Sequence, residues 1–261
     1  MTGLTNMDLR HRLSLAEHIA MEASKVAMAH FRKPLDVSAK SDDSPVTVAD
    51  QATERFIRDA IAAELPSDAI FGEEFGQSGD GAGTWIIDPI DGTRSFITGM
   101  PLFGMLIGYL LEGRTQLGII NMPALQEMYS GATGLGAMLN GASIQVSECT
   151  DLNDARIFIN EGDKLAKDQP EVFGQLVGAG AVRRMAADCY PHALVASGHV
   201  DCVVDYDLQP YDYLPVSAVV EAAGGVMTDW DGAPLTMDSD GKTLTAATPQ
   251  LHAALLELVN A

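Results

Sequence analysis

Trp85-Ile86-Ile87-Asp88-Pro89-Ile90-Asp91-Gly92-Thr93-Arg94-Ser95-Phe96 sets two carboxylates three residues apart on a turn that follows three large apolar residues. Trp85, Ile86 and Ile87 predict the end of a buried strand. Pro89 lacks an N–H and confines Asp88 to extended backbone, so the strand is expected to stop there. Asp88 and Asp91 then project from the carboxyl end of a strand, where open α/β sheets place their ligands. Two such carboxylates repel one another unless a cation lies between them, and hard oxygen donors suit Mg²⁺ or Mn²⁺. Gly92 lets the backbone come close, and the N–H groups of Gly92 and Thr93, opening a short helix, offer an anion site. Metal ligands beside an anion cradle describe a site that handles phosphate. A lone Asp-Pro or Asp-Gly reads as a solvated turn. The full string is bracketed by aromatics and has Glu73-Glu74 upstream, which that reading does not explain.

The 261 residues, 47% of them hydrophobic, suffice for a full core in one large domain or two intimate halves. A net charge of −20 argues against nucleic acid or an anionic membrane as partner. The same charge should repel a phosphate, a conflict that a bound divalent cation resolves locally. Cys149, Cys189 and Cys202 lack metal-ligand spacing and cannot all pair, which fits a reducing cytoplasm. No apolar run approaches the roughly 18–20 residues of a membrane span, and no signal-peptide pattern opens the chain.

Outward from the motif, residues 9–33 predict an amphipathic helix ended by Pro34. Residues 35–46 are polar and expected to be mobile, and Thr47 opens a second helix to about Leu65. Ala69 to Phe71 reads as a short strand closed by Gly72-Glu73-Glu74. Strands are expected over Gly104–Leu111, Gln116–Met122, Met128–Ala132 and Gly136–Leu139. Asp151 to Asp154 marks the clearest boundary. It divides a first α+β half, residues 1–150 with the metal motif, from a second α/β half, residues 151–261, holding substrate-recognition residues and the last metal ligand. In the second half, strands are expected at 156–160, 182–185, 200–206 and 244–247. Helices are expected near 168–178, across 189–197, over 211–223 and from Pro249.

The string W-x-x-D-P-x-D-G-T-x-x-F resembles the signature of the inositol monophosphatase family, Mg²⁺-dependent and Li⁺-sensitive phosphatases. Matching motifs near residues 40–50, 71–75 and 205–225 extend the resemblance over nearly the whole chain. It implies a layered αβαβα sandwich of the inositol monophosphatase and sugar phosphatase type, and a homodimer. It also implies that Glu73 and Asp212, in Tyr211-Asp212-Tyr213, join Asp88, Asp91 and the Ile90 carbonyl as metal ligands. Glu74 would support Glu73 or bind through water. Asp50 is implied as a carboxylate near the metals, and Lys40 as a lysine on a mobile segment that closes the site. The implied chemistry is hydrolysis assisted by two or three Mg²⁺ ions, with Glu73 and the Thr93 hydroxyl orienting water. Asp91, Gly92 and Thr93 would hold the phosphate.

Arg94-Ser95 and Ile97 to Gly104 are most similar to the histidinol-phosphate phosphatase branch, as is Ala187-Asp188-Cys189-Tyr190. There a carboxylate at Asp188 would pair with a cationic alcohol, which an inositol lacks. Asp205 stands where the family has a substrate-contacting Glu, and Glu161 offers a further polar contact. Arg94 reads as a phosphate or gate residue, or as a surface ion pair. Asp188 alone reads equally well as a helix cap. His192 and His199, seven apart, fit one helix face and its exit better than a ligand pair. The expected activity is hydrolysis of a small phosphomonoester, L-histidinol phosphate in histidine biosynthesis first. Inositol phosphate or a broad range of small esters comes second, and a metal-binding regulator without turnover stands as the non-enzyme alternative.

Overall fold

The computed structural model describes residues 5–34, 37–39 and 45–261. Helix α1 (Asn6–Met28) starts earlier than expected because Thr5 and Asp8 cap it reciprocally, and it ends well short of Pro34. Within the stretch expected to be mobile, β1 (Val37–Ala39) pairs antiparallel with β2 (Pro45–Thr47), and Lys40 lies outside the described residues. Helix α2 (Val48–Glu64) follows, capped by Thr47 and Asp50.

A large sheet comes next. Its strands are β3 (Ala69–Gly72), β4 (Gly76–Ser78), β5 (Gly83–Asp91), β6 (Gly104–Leu111), β7 (Arg114–Met122), β8 (Glu127–Ala132), β9 (Gly136–Leu139) and β10 (Ala142–Ile144). The short helix α3 (Thr93–Ile97) sits between β5 and β6. The strand order is β10-β9-β8-β7-β6-β5-β3-β4, with β3 and β5 parallel and the other pairs antiparallel. Strand β5 does not stop at Asp88. It continues to Asp91, and its register against β6 shifts between those two residues. The bulge absorbs the missing N–H of Pro89, which a regular ladder could not.

After a 3₁₀ turn at Leu152–Asp154, the chain builds β11 (Arg156–Ile159), α4 (Gly162–Asp168), α5 (Pro170–Leu176), β12 (Val182–Met185), α6 (Tyr190–Ala196) and β13 (Cys202–Asp205). It ends with α7 (Pro210–Ala222), β14 (Val226–Asp229), β15 (Thr243–Ala246) and α8 (Pro249–Val259). The helix expected near 168–178 is therefore two, because Pro170 cannot continue α4 and instead opens α5. Strands β11 and β13 are parallel neighbours at the centre of a sheet ordered β12-β11-β13-β15-β14. Strand β14 carried no expectation from its sequence.

Five layers result. Period-two alternation sends Trp85 and Ile87 to one face of β5 and Ile86 to the other. On the first face they meet Leu9, Ile19, Ile57 and Ile61 of α1 and α2. On the second, Ile86 joins Ala193 of α6 and Leu214, Val219 and Val220 of α7. Helices α6 and α7 lie between the two sheets, and α8 covers the outer face of the second through Leu251, Leu255 and Val259. Helix α7 is apolar nearly all round, as a helix buried on both sides must be. It carries Pro215 past its first turn, beyond the position where a proline is most easily accepted. A cross-strand row of glycines, Gly108, Gly118 and Gly131, makes the trough it lies in. A Cβ on Gly118 would fall 1.9 Å from the Pro215 carbonyl oxygen. No helix among the described residues is long and apolar enough to cross a membrane.

Candidate active site

The ends of β3 and β5 and the start of α7 meet at one edge of the layers. Strand β5 delivers Asp88 and Asp91, and the first turn of α7 delivers Asp212. One carboxylate oxygen from each lies within 4.8 Å of the others. These residues and Glu73, Ile90, Gly92, Thr93, Arg94 and Lys164 line a cleft of about 440 Å³.

Each carboxylate is held by local chemistry. Asp88 is 2% exposed, and its Oδ1 accepts the Ile90 N–H at 3.0 Å. Asp91 Oδ2 accepts the Cys189 N–H at 2.6 Å, which ties β5 to the segment before α6. Asp212 Oδ2 caps α7 by accepting the Gln209 N–H at 2.7 Å, so capping and a place in the cluster coexist. Glu73 leaves β3 with its N–H on the Ile87 carbonyl at 3.1 Å. Its turn is gripped from α2 by Glu54, fully buried and paired with Arg58, whose oxygens accept the Glu74 and Phe75 N–H groups at 2.7 and 3.3 Å. Glu54 carried no sequence expectation, since one glutamate on an amphipathic helix looks solvated.

The electrostatics favour a cation. Burial, then the charges of Glu73, Asp91 and Asp212, holds the Asp88 carboxyl well above the usual range. Burial and the charges of Asp188 and Asp212 do the same to Asp91. Burial raises Asp212 to about 7 against the Gln209 N–H that opposes it. Among the described residues no arginine or lysine forms an ion pair with these three aspartates. Three crowded oxygen donors without a counter-charge among the described residues fit a hard divalent ion.

Beside the cluster, Thr93 Oγ shares its proton between the Ile90 carbonyl at 3.2 Å and Asp50 Oδ1 at 3.3 Å. Asp50 is fully buried, and its other oxygen accepts from the Thr47 N–H at 2.8 Å and hydroxyl at 2.5 Å. Gly92 has φ +82°, and a Cβ there would meet the Asp188 carboxyl at 2.6 Å. Both its torsion and its neighbour demand glycine.

A recess of about 70 Å³ adjoins the cluster, sharing Asp91 and Asp212 and lined by Asn160, Glu161, Asp188, His192 and Asp205. Asp188 Oδ2 accepts the Ser95 hydroxyl at 2.6 Å, and burial raises its carboxyl to about 6. Arg94 approaches Glu161 at 3.7 Å, and Lys164 bridges Glu161 and Asp207 at 2.8 and 3.0 Å. The Tyr190 and Tyr129 hydroxyls converge on Glu127 Oε2 at 3.1 and 2.8 Å, anchoring the start of α6 to β8. Of the residues singled out in the sequence, Glu73, Asp88, Ile90, Asp91, Gly92, Thr93, Arg94 and Asp212 line the cleft, and Glu161, Asp188 and Asp205 the recess. Asp50 stands behind Thr93.

A family model described as the inositol monophosphatase family matches residues 8–261. A protein named histidinol-phosphatase from Chlorobaculum parvum is 44% identical over 234 residues, covering 88% of this chain and 90% of that one. Another of that name from Mycobacterium tuberculosis is 33% identical over 267 residues, covering 99% and 100%. A solved structure of an inositol monophosphatase from Zymomonas mobilis has a TM-score of 0.87 and 35% identity, covering 97% of this chain and 98% of that one.

Proposed function

The chain belongs to the inositol monophosphatase family, and from that premise we propose that it hydrolyses small phosphomonoesters with a cationic alcohol, L-histidinol phosphate first among them. The observation that carries the alcohol's charge is Asp188, set in a recess it shares with Glu161 and Asp205. A protonated amine or imidazole entering there would find carboxylates, where a neutral polyol would leave Asp188 without a partner charge. The names of the Chlorobaculum and Mycobacterium relatives support the same reading.

Asp88, Asp91 and Asp212, with Glu73 and the Ile90 carbonyl, would hold the divalent ions, Mg²⁺ first and Mn²⁺ as substitute. Ions bound there supply Lewis acidity to the phosphoryl oxygens and acidify the attacking water. The chain's own groups do the rest. Thr93 donates its hydroxyl proton toward Asp50 or Ile90, which leaves its lone pair to orient water, and Asp50 holds it in that pose. Glu73, lining the same cleft beside Asp88, is the base that takes the water's proton. The Gly92 and Thr93 N–H groups hold phosphoryl oxygens, and Arg94 closes the outer rim.

A second reading, a neutral polyol ester such as myo-inositol 1-phosphate, draws on the name of the Zymomonas structure. Phosphate release from both esters in Mg²⁺ separates the two. The wild type is expected to prefer the histidinol ester, and Asp188→Ala to lower that preference about ten-fold or more, the worth of one hydrogen-bonded charge pair. A wide wild-type preference for the inositol ester would transfer the assignment to the second reading. No release from either would leave a metal-binding protein without turnover.

A further inference from the structure

Resting on the phosphatase reading above, we infer that His192 and Asn160 are positioning residues that set which alcohol the site accepts, acting through Asp205 and the turn at 186–189 rather than by touching substrate.

The argument begins at Asp205, at the end of β13 and 3% exposed. Its Oδ2 accepts the Asn160 side-chain amide at 2.7 Å and lies 3.2 Å from His192 Nε2. Its Oδ1 accepts the Tyr206 N–H at 2.9 Å. A carboxylate can only accept, so His192 Nε2 donates to it, and Nδ1 lies 2.9 Å from the Thr245 hydroxyl, which pins the ring's other side. Protein donors thus reach both oxygens of Asp205, which also lines the recess. It anchors Asn160.

Asn160 spends every polar atom on the neighbouring turn or on Asp205. The same amide nitrogen donates to the Asp188 carbonyl at 2.8 Å, and the amide oxygen accepts the Ala187 N–H at 3.2 Å. The grip matters because Ala186 and Asp188 have φ of +54° and +50°, conformations that L-residues hold only when their surroundings fix them. This turn aims the Asp188 carboxylate at Ser95 and packs it against Gly92, and it sends the Cys189 N–H to Asp91. A continuous row therefore runs from Thr245 through His192, Asp205 and Asn160 to the backbone of Asp188. Asp188 is the carboxylate proposed to meet a cationic alcohol, and the row decides where it points.

A network that serves stability alone would, when cut, weaken hydrolysis of every ester together. One that aims Asp188 must change discrimination. The test measures specificity constants for L-histidinol phosphate and myo-inositol 1-phosphate in Mg²⁺, for wild type, His192→Phe, His192→Gln and Asn160→Ala. His192→Phe keeps a ring in place but loses both bonds. It is expected to lower the ratio of cationic to neutral ester about ten-fold or more, mainly through KM of the cationic ester. His192→Gln retains a donor toward Asp205 and should recover part of that loss. Asn160→Ala releases Asp188 while leaving the His192–Asp205 contact, and it must lower the ratio even if His192→Phe does not fold. A wild type that prefers the histidinol ester, with variants that keep its ratio, overturns this inference and spares the proposed function. A wild type without that preference overturns both.

Discussion

Asp88 accepts one backbone N–H and is otherwise surrounded by Glu73, Asp91 and Asp212, whose charges oppose its own. Such a residue works against the fold unless a cation offsets its charge. Asp88→Asn keeps the shape and the acceptor for Ile90 but removes the charge. Turnover in Mg²⁺ is expected to fall about a hundred-fold or more, as when a group stabilising transition-state charge is lost. The metal-free variant should melt above the metal-free wild type, by about 2–4 °C for each kcal/mol of relieved repulsion in a chain this long. Melting curves with and without Mg²⁺ check both, and the rise on adding Mg²⁺ should be smaller in the variant. An unchanged or lower metal-free melting temperature would mean that the wild-type charge is already compensated.

At the scale of elements, the position of Asp212 depends on how deeply α7 lies on β6, β7 and β8. The trough formed by Gly108, Gly118 and Gly131 leaves no room for a Cβ at Gly118 without moving the Pro215 backbone. Gly118→Ala forces either the strand or the helix to shift, and a helix buried on both sides has nowhere to go without straining its other contacts. The expected loss of stability is roughly 1–3 kcal/mol, in the range of overpacking within a dense core. Because α7 carries Asp212, the Mg²⁺ concentration for half-maximal activity should rise as well. Denaturant unfolding and a Mg²⁺ titration read the two effects separately. A stability loss with unchanged Mg²⁺ dependence would mean that the first turn of α7 moves independently of its body.

For the molecule as a whole, pH acts not only at the carboxylates of the cleft and recess but also at a point far from them in sequence and chemistry. His252 of α8 is buried, with Nε2 2.7 Å from the Thr228 hydroxyl, and burial lowers its pKa below the ordinary 6.5. The folded chain therefore binds this proton less readily than the unfolded one. His252 contributes stability that is complete above the unfolded value of about 6.5 and is lost as pH falls through the lowered folded value. Below pH 6.5 the wild type should lose stability more steeply than His252→Gln, as measured by urea midpoints between pH 7.5 and 5. Parallel curves would assign that slope to other groups, among them the carboxylates that give the chain its net charge of −20.

Much of the site was legible because it is contiguous. Trp85 to Thr93 encodes the strand by its run of large apolar residues, the tight backbone by Gly92, and two carboxylates of the acidic cluster by residue type, all within nine positions of one another. The layered fold was legible from the resemblance. The break at Pro170 is readable from the proline itself, which opens α5. Other features could not be read locally. The extension of β5 past Pro89 depends on β6, whose Gly104 pairs with Asp91 across a bulge. Glu54 meets the Glu73–Glu74 turn twenty residues away, Ser95 meets Asp188 at a separation of 93, and His192 meets Thr245 at 53. Each of those side chains is ordinary in its own window. Sequence by itself determined backbone torsions and the chemistry available at the end of one strand, because both are properties of neighbouring residues. Tertiary structure alone decided which distant side chains share a hydrogen bond or a cavity, because two sheets closing on α6 and α7 set distances that no local window contains.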